Sequence, residues 1–171
     1  PVVETMHKNN ICHMVIAPAQ VLEEVQTKAR EIAYTVVDAL EGIGVFAIEM
    51  FLLGNGEVVV NEIAPRVHNS GHYSIEGAKT SQFENHIRAI CGMPLGDTDM
   101  TNPASVMVNI LGEREGKAEP MGYEEYEKDT DVFVHFYGKV ETRQERKMGH
   151  ITVVGNDSDV VRKKAEDVRK N

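Results

Sequence analysis

"VFAIEMFLLGNGEVVVNEIAPRVHNSGH", residues 45–72, decides how this chain is read. Two apolar runs flank Gly-Asn-Gly, and Asn55-Gly56 is the strongest short signal for a two-residue hairpin turn. Each run carries one acid, Glu49 and Glu62. A two-residue loop pairs Gly54 with Glu57, and the register that follows sets Glu49 directly opposite Glu62. Opposed side chains have Cβ atoms about 4.5–5.5 Å apart, so two carboxylates there need a shared proton or a cation. Phe51, Leu53, Val58 and Val60 are expected on the same face, shielding the pair in part. All-oxygen ligands suit a hard ion, and Mg²⁺ typically takes one or two carboxylates plus phosphate oxygens. The alternative is a pair of glutamates turned to solvent, or a longer turn that shifts the register.

Pro65 marks the end of the second strand. Arg66, His68 and Asn69 follow in an irregular segment, where a guanidinium fork suits a small planar anion or a phosphoryl oxygen. His68 and His72 stand four apart, as a helical zinc pair would, but Pro65 and Gly71 argue against that helix. Structural hydrogen bonding by the two histidines is the other reading. A second polar concentration is "YGKVETRQERKMGH", residues 137–150, where Lys139, Arg143, Arg146 and Lys147 outnumber Glu141 and Glu145. Such a local excess binds a phosphate ester, or is simply a solvated loop.

Outward from these motifs, residues 1–17 read as a strand ended by Pro18, and apolar residues at helical spacing predict a helix from Ala19 to Leu40. A helix capped by Thr80 or Ser81 runs to Gly92. After the loop at 94–103 come short strands, "ASVMVNILGE", "DVFVHFYGK" and "GHITVVG", then a helix capped by Asp157 or Ser158. The expected class is α+β, divided into residues 1–95 and a small β-rich unit with a terminal helix, 96–171.

The formal net charge of −9 argues against general nucleic-acid binding. No apolar run reaches the roughly 18 residues of a membrane span, and the N-terminus lacks a signal-peptide pattern. Cys12 and Cys91 lack metal-ligand spacing and read as packing thiols of a reducing cytosol. The opening "PVVETMHKNN" has no initiator Met and enters mid-strand, so a piece of a longer protein is expected.

The run "GVFAIEMFLLGNGEVVVNEIAPRVHNSGHYSIEGAKTSQFENHIRAICGMPLG", with "ETMHKNNICH" before it and "HFYGKVETRQERKMGHI" after it, resembles the 5-(carboxyamino)imidazole ribonucleotide synthetases. This ATP-grasp family is also described as the ATPase subunit of phosphoribosylaminoimidazole carboxylase. The resemblance covers roughly residues 1–154. It implies the second half of an ATP-grasp domain followed by a small β-rich C-terminal domain. It also implies a ligase of purine biosynthesis that uses ATP and Mg²⁺ to join bicarbonate to aminoimidazole ribonucleotide through carboxyphosphate, giving ADP and phosphate. By the same resemblance Glu49 and Glu62 hold Mg²⁺ against ATP, and Arg66, His68 and Asn69 handle bicarbonate and carboxyphosphate. Lys139 and Arg146 grip the 5′-phosphate of the ribonucleotide.

A cytoplasmic homodimer is implied, with a fused or separate carboxylase (mutase) partner. Two departures stand out. Ala64 occupies the position where many ATP-grasp enzymes carry Asn, with Asn61 as a substitute ligand or an outward-facing residue. The N-terminal half that clamps the nucleotide has no counterpart, so the isolated chain is expected to be inactive. Another ATP-grasp ligase and a non-catalytic binding or assembly module are the rival readings.

Overall fold

A computed structural model describes residues 1–119, 122, 123, 126 and 128–170, with the side chain of Lys170 excluded. In chain order the elements are β1 (Glu4–Lys8), β2 (Ile11–Ala17), α1 (Glu23–Leu40), β3 (Ala47–Leu52), β4 (Val58–Ala64), a 3₁₀ turn (Asn69–Gly71) and α2 (Ser74–Gly77). There follow α3 (Gln82–Ile90), β5 (Ala104–Leu111), β6 (Gly116–Lys117), β7 (Val132–Phe136), β8 (Glu141–Thr142), β9 (Lys147–Gly155) and α4 (Ser158–Lys170). The class is α+β, as the sequence led us to expect.

The first seventeen residues are a hairpin rather than one strand. Asn9 and Asn10 both adopt positive φ, 52° and 61°, and turn β1 back onto β2. Two consecutive left-handed residues are what a tight hairpin turn demands, and Asn tolerates that conformation better than most residues. Helix α1 begins at Glu23, four residues later than the periodicity suggested, because Pro18–Leu22 forms its lead-in. Ser81 caps α3 by accepting the Glu84 N–H at 3.2 Å, and Asp157 Oδ1 accepts the N–H groups of Asp159 and Val160 at the start of α4.

The main sheet has the order β1-β2-β5-β9-β7, antiparallel throughout. It therefore joins strands from both sides of the 94–103 loop. Alternation splits its side chains between two faces. On one face Met14, Ile16, Val106, Val108, Ile151 and Val153 pack against Val161, Ala165 and Val168 of α4. On the other, Val15, Ala17 and Met107 meet Tyr73, and the buried polar residues Ser105, Asn109, His150 and Thr152 alternate with the apolar ones. This second face carries the motif at 65–77.

The remaining elements are thinly covered. Ala29 is the buried residue of α1, while Tyr34 of α1, Phe51 of β3 and Ile87 of α3 are exposed. The load on the core is thus uneven. Ile151→Ala, at a fully buried position between sheet and α4, is expected to cost about 2–5 kcal/mol. Tyr34→Ser, at a side chain 71% exposed, should stay within about 0.5 kcal/mol. Urea-denaturation midpoints of the two variants check the contrast.

Candidate functional site

The hairpin β3–β4 sets Glu49 opposite Glu62, but not by the expected turn. Leu53 N–H donates to the Glu57 carbonyl at 2.8 Å, so the loop has three residues, 54–56. That alone would move every pair by one and put the two acids on different faces. A β-bulge restores them: Met50 pairs with Val60, Glu49 pairs with Glu62, and Asn61 is the extra residue. The bulge also turns Asn61 toward the acids, where its Nδ2 donates to Glu49 Oε2 at 3.2 Å. Phe51 consequently faces Val59 rather than Val60, and Leu52 faces Val58. The shielding expected from these neighbours is slight, since Phe51 is 56% exposed and Glu62 is also exposed.

Glu49 is half-buried and leans on the motif that follows. Its Oε1 lies 3.7 Å from His68 Nε2. His68 Nδ1 accepts the Ser70 N–H, which leaves the ring proton on Nε2, facing Glu49. Burial, with Arg66 and Lys147 nearby, outweighs the pull of Glu49 and holds the His68 pKa below its ordinary value, so the ring is neutral at pH 7. Arg66 is exposed and donates to the Val67 carbonyl at 3.0 Å.

The loop is pinned by Gln82 of α3. Its side-chain amide receives the His68 N–H at 2.9 Å and donates to the His68 carbonyl at 2.8 Å, mimicking a strand partner. The same Nε2 lies 2.9 Å from His72 Nδ1. Gly71 is required for this approach, because a Cβ there would collide with the Gln82 amide.

His72 is thus placed in the packing rather than beside a metal. It stacks on Phe83 at 5.4 Å between centroids and lies 5.0 Å from His150, which in turn stacks on His135 at 4.6 Å. His135 Nε2 meets Glu76 Oε1 at 2.6 Å, and Tyr137 Oη meets His150 Nδ1 at 3.0 Å. Burial, reinforced by repulsion among the rings, lowers the pKa of His72 to about 4 and of His150 to about 3. Glu76 raises that of His135. Sequence reasoning missed this cluster and Gln82. Its signal was the polar residues at alternate positions, His150 and Thr152, in an otherwise apolar strand.

The basic segment lies against the same face. Asn69 receives Lys147 Nζ on its Oδ1 at 3.0 Å, and Lys139 Nζ donates to the Lys147 carbonyl. Lys139 also sits 5.5 Å from the Tyr137 ring centroid. Burial first, then Arg146, Lys147 and Arg143, push its pKa below the usual lysine value. Arg146 is braced by the Glu141 carbonyl at 2.8 Å. The structure therefore brings Glu49, Glu62, His68, Asn69 and, through Lys147, Lys139 into one continuous polar surface. Away from it, a groove of about 800 Å³ between Pro18–Lys28 and the hairpin tip includes none of these residues.

A paired-acid hairpin thus lies beside an anion-suited loop, set against an antiparallel sheet with a basic edge. Residues 1–83 match the ATP-grasp domain, and residues 105–164 match the phosphoribosylaminoimidazole carboxylase C-terminal domain. N5-carboxyaminoimidazole ribonucleotide synthase of Bacillus subtilis is 46% identical over 93% of this chain and 40% of its own length. The crystal structure of N5-carboxyaminoimidazole ribonucleotide synthetase from Thermotoga maritima is 52% identical, with a TM-score of 0.87 over 93% of this chain and 46% of that one. The Aspergillus clavatus N5-carboxyaminoimidazole synthase, in complex with ADP and 5-aminoimidazole ribonucleotide, is 37% identical, with a TM-score of 0.89 over 99% and 47%. The chain belongs to the N5-carboxyaminoimidazole ribonucleotide synthetase family of ATP-grasp proteins, and it spans less than half the length of these relatives.

The histidine cluster sets an acid sensitivity. His72 and His150 are neutral when folded, with values of about 4 and about 3 against an ordinary 6.5. The unfolded chain binds more protons in that interval, so their contribution is full above about pH 6.5 and falls as pH drops toward 3. The His135–Glu76 pair has the opposite sign: its contribution is full below pH 6.5 and is lost as pH rises through the raised value. Stability measured by urea should therefore fall between pH 6.5 and 4, by a total on the order of a few kcal/mol. In His150→Gln the slope over that range should be shallower.

Proposed function

We propose that this chain is part of an ATP-dependent carboxylate-amine ligase of purine biosynthesis. The reaction converts aminoimidazole ribonucleotide, bicarbonate and ATP to 5-(carboxyamino)imidazole ribonucleotide, ADP and phosphate. The observation that carries the reading is the double role of Lys147. Its side chain holds Asn69 of the anion-suited loop, and its carbonyl holds Lys139 of the phosphate-suited segment. Sites for the reacting anion and for a phosphate ester are therefore contiguous, as joining the two substrates requires. The ADP and 5-aminoimidazole ribonucleotide held by the Aspergillus clavatus relative are ligands of the expected kinds.

Glu49, Glu62 and Asn61 would hold Mg²⁺. The donor set fits, being all oxygen, and Asn61 uses its nitrogen on Glu49, which leaves its carbonyl oxygen free. Among the described residues no three His, Cys, Asp or Glu converge on a metal, so phosphate oxygens would complete the shell. When bound, the ion neutralises charge on the ATP phosphates.

In the reaction, a bicarbonate oxygen bonds to the γ-phosphorus while the bond to ADP breaks, giving carboxyphosphate. The amine nitrogen then bonds to the carboxyl carbon, the carbon–oxygen bond to phosphate breaks, and the amine loses a proton. The Arg66 fork suits the planar anion, and neutral His68 offers its Nε2–H beside it. Asn69 acts through the ammonium group it holds. Lys139 and Arg146 grip the ribonucleotide phosphate.

Residues 1–95 and 96–171 are proposed as the two contributing units. The nucleotide-clamping half of the longer protein would cover the exposed apolar surface of α1 and α3, including Tyr34, Ile87 and Ile90. A homodimer, a carboxylase partner and a cytoplasmic setting belong to the same proposal. Among the described residues no helix is long and apolar enough to cross a membrane.

In the full-length protein, Lys139→Ala should weaken ribonucleotide binding about tenfold or more, the scale of a lost charge-assisted hydrogen bond, with the KM for ATP little changed. Unchanged ribonucleotide affinity, measured by titration calorimetry, would remove the substrate assignment. Affinity should also fall with rising pH before the ordinary lysine value of 10.5, because the Lys139 pKa is depressed. The 171-residue chain alone should show no bicarbonate-dependent ATP turnover, and finding it would overturn the view that the site is incomplete.

A further inference from the structure

Asn109 lies on β5, 0% exposed, in a strand whose other buried residues are mostly apolar. A polar side chain so placed must find partners for its donors and acceptors or carry an uncompensated desolvation cost. Asn109 finds them all. Its Nδ2 donates to the Cys12 carbonyl of β2 at 2.8 Å and to Asn69 Oδ1 at 2.8 Å. Its Oδ1 accepts from Asn69 Nδ2 at 2.8 Å. The two amides form a closed ring.

The ring has a polarity that the sheet imposes. A backbone carbonyl can only accept, so Cys12 forces the NH₂ end of Asn109 toward β2. With Asn109 fixed, only one orientation of the Asn69 amide gives two good bonds, and that orientation presents Oδ1 to Lys147 Nζ at 3.0 Å. Asn69 is then committed to the frame: Oδ1 takes two donors, and Nδ2 serves Asn109. What its amide oxygen directs toward the site is the Lys147 charge.

A second feature aligns with this. On β9, Ile151 and Val153 face α4 while His150 and Thr152 face the motif, so strict alternation would point Lys147 at α4. A bulge at Met148 breaks the alternation: Ile110 pairs with Gly149, but Leu111 pairs with Lys147. Lys147 is thereby turned to the face that carries Asn69 and Asn109. Bulges re-aim side chains in this way at functional surfaces.

We propose that Asn109 is a positioning residue of the ligase site: through its amide ring with Asn69 it fixes the Lys147 ammonium beside the reacting anion, between His68 and Lys139. This rests on the ligase reading above. Asn109 touches no substrate. It transmits the geometry of the β2–β5 strand pair to one positive charge, and an ammonium on a flexible stem needs such a fixed acceptor to hold its position.

The test uses the full-length protein with Asn109→Leu, Asn109→Asp, Lys147→Ala and the double variant Asn109→Leu/Lys147→Ala. In bicarbonate-dependent turnover, Asn109→Leu should lower kcat by about 10- to 100-fold, with the ribonucleotide KM changed less than about 3-fold. Asn109→Asp, which sets an oxygen against the Cys12 carbonyl, should be no better. The double variant should be no slower than Lys147→Ala, because both changes remove one unit.

The ammonium itself supplies a second readout. In ¹⁵N-lysine-labelled protein at low temperature, the Lys147 Nζ signal, assigned by its loss in Lys147→Ala, should be protected from exchange in the wild type and not in Asn109→Leu. Multiplicative losses in the double variant, or a protected Lys147 signal in Asn109→Leu, overturn the positioning role. Absence of bicarbonate-dependent turnover in the wild type overturns the ligase reading instead, while the ammonium signal still decides whether Asn109 positions Lys147.

Discussion

The hydrogen bonds converging on Asn69 tie the motif loop to the sheet, and the arrangement of the surrounding site depends on them. One amide oxygen accepts both Asn109 and Lys147, so strands β5 and β9 and the 65–77 loop meet at a single atom. Gln82 pins the same loop from the opposite side through the His68 backbone. Between the two clamps, His68 and Asn69 are held without a helix or strand of ordinary length. The loop can therefore be rigid while several of its hydrogen-bonding side chains are spent on structure.

Two bulges supply the aim. In the hairpin the extra residue Asn61 returns Glu62 to the face of Glu49, and on β9 the extra residue Met148 turns Lys147 away from α4. A strand's alternation is rigid over its length, so a surface that needs unevenly spaced side chains must break it somewhere. Both breaks fall at the site. The buried sheet centre, by contrast, keeps perfect alternation from Met14 to Ala17 and from Ser105 to Ile110.

This explains what could be read from residues alone. The pairing of Glu49 with Glu62 was legible, although two features that were not legible cancel in it: a loop longer by one residue and a bulge. Bulge positions depend on how the hairpin seats on its neighbours, which periodicity does not report. The strands β5, β7 and β9 and the helices α3 and α4 were legible because their apolar spacing and caps are local. The hairpin of β1 and β2 was not, since Asn9-Asn10 is a weaker turn signal than Asn-Gly. His72 could not be placed from sequence because its partners, Gln82, Phe83 and His150, come from distant segments.

The histidines show why polar groups were kept on a buried face at all. His72, His135 and His150 stack in a row that could be replaced, for packing alone, by aromatic residues. A phenyl row would leave the Tyr137 hydroxyl without His150 and Glu76 without His135. It would also free the Tyr137 hydroxyl from the ring nitrogen that directs it. Since Tyr137 carries Lys139 over its ring, the neutral His150 is connected to the basic edge through a single intervening side chain. Keeping that ring uncharged matters, because a cation at His150 would repel the protonated lysines nearby. Burial, by lowering its pKa to about 3, secures the neutral state across the ordinary pH range. The sheet face beneath the site thus sets both where the positive charges stand and where none is allowed.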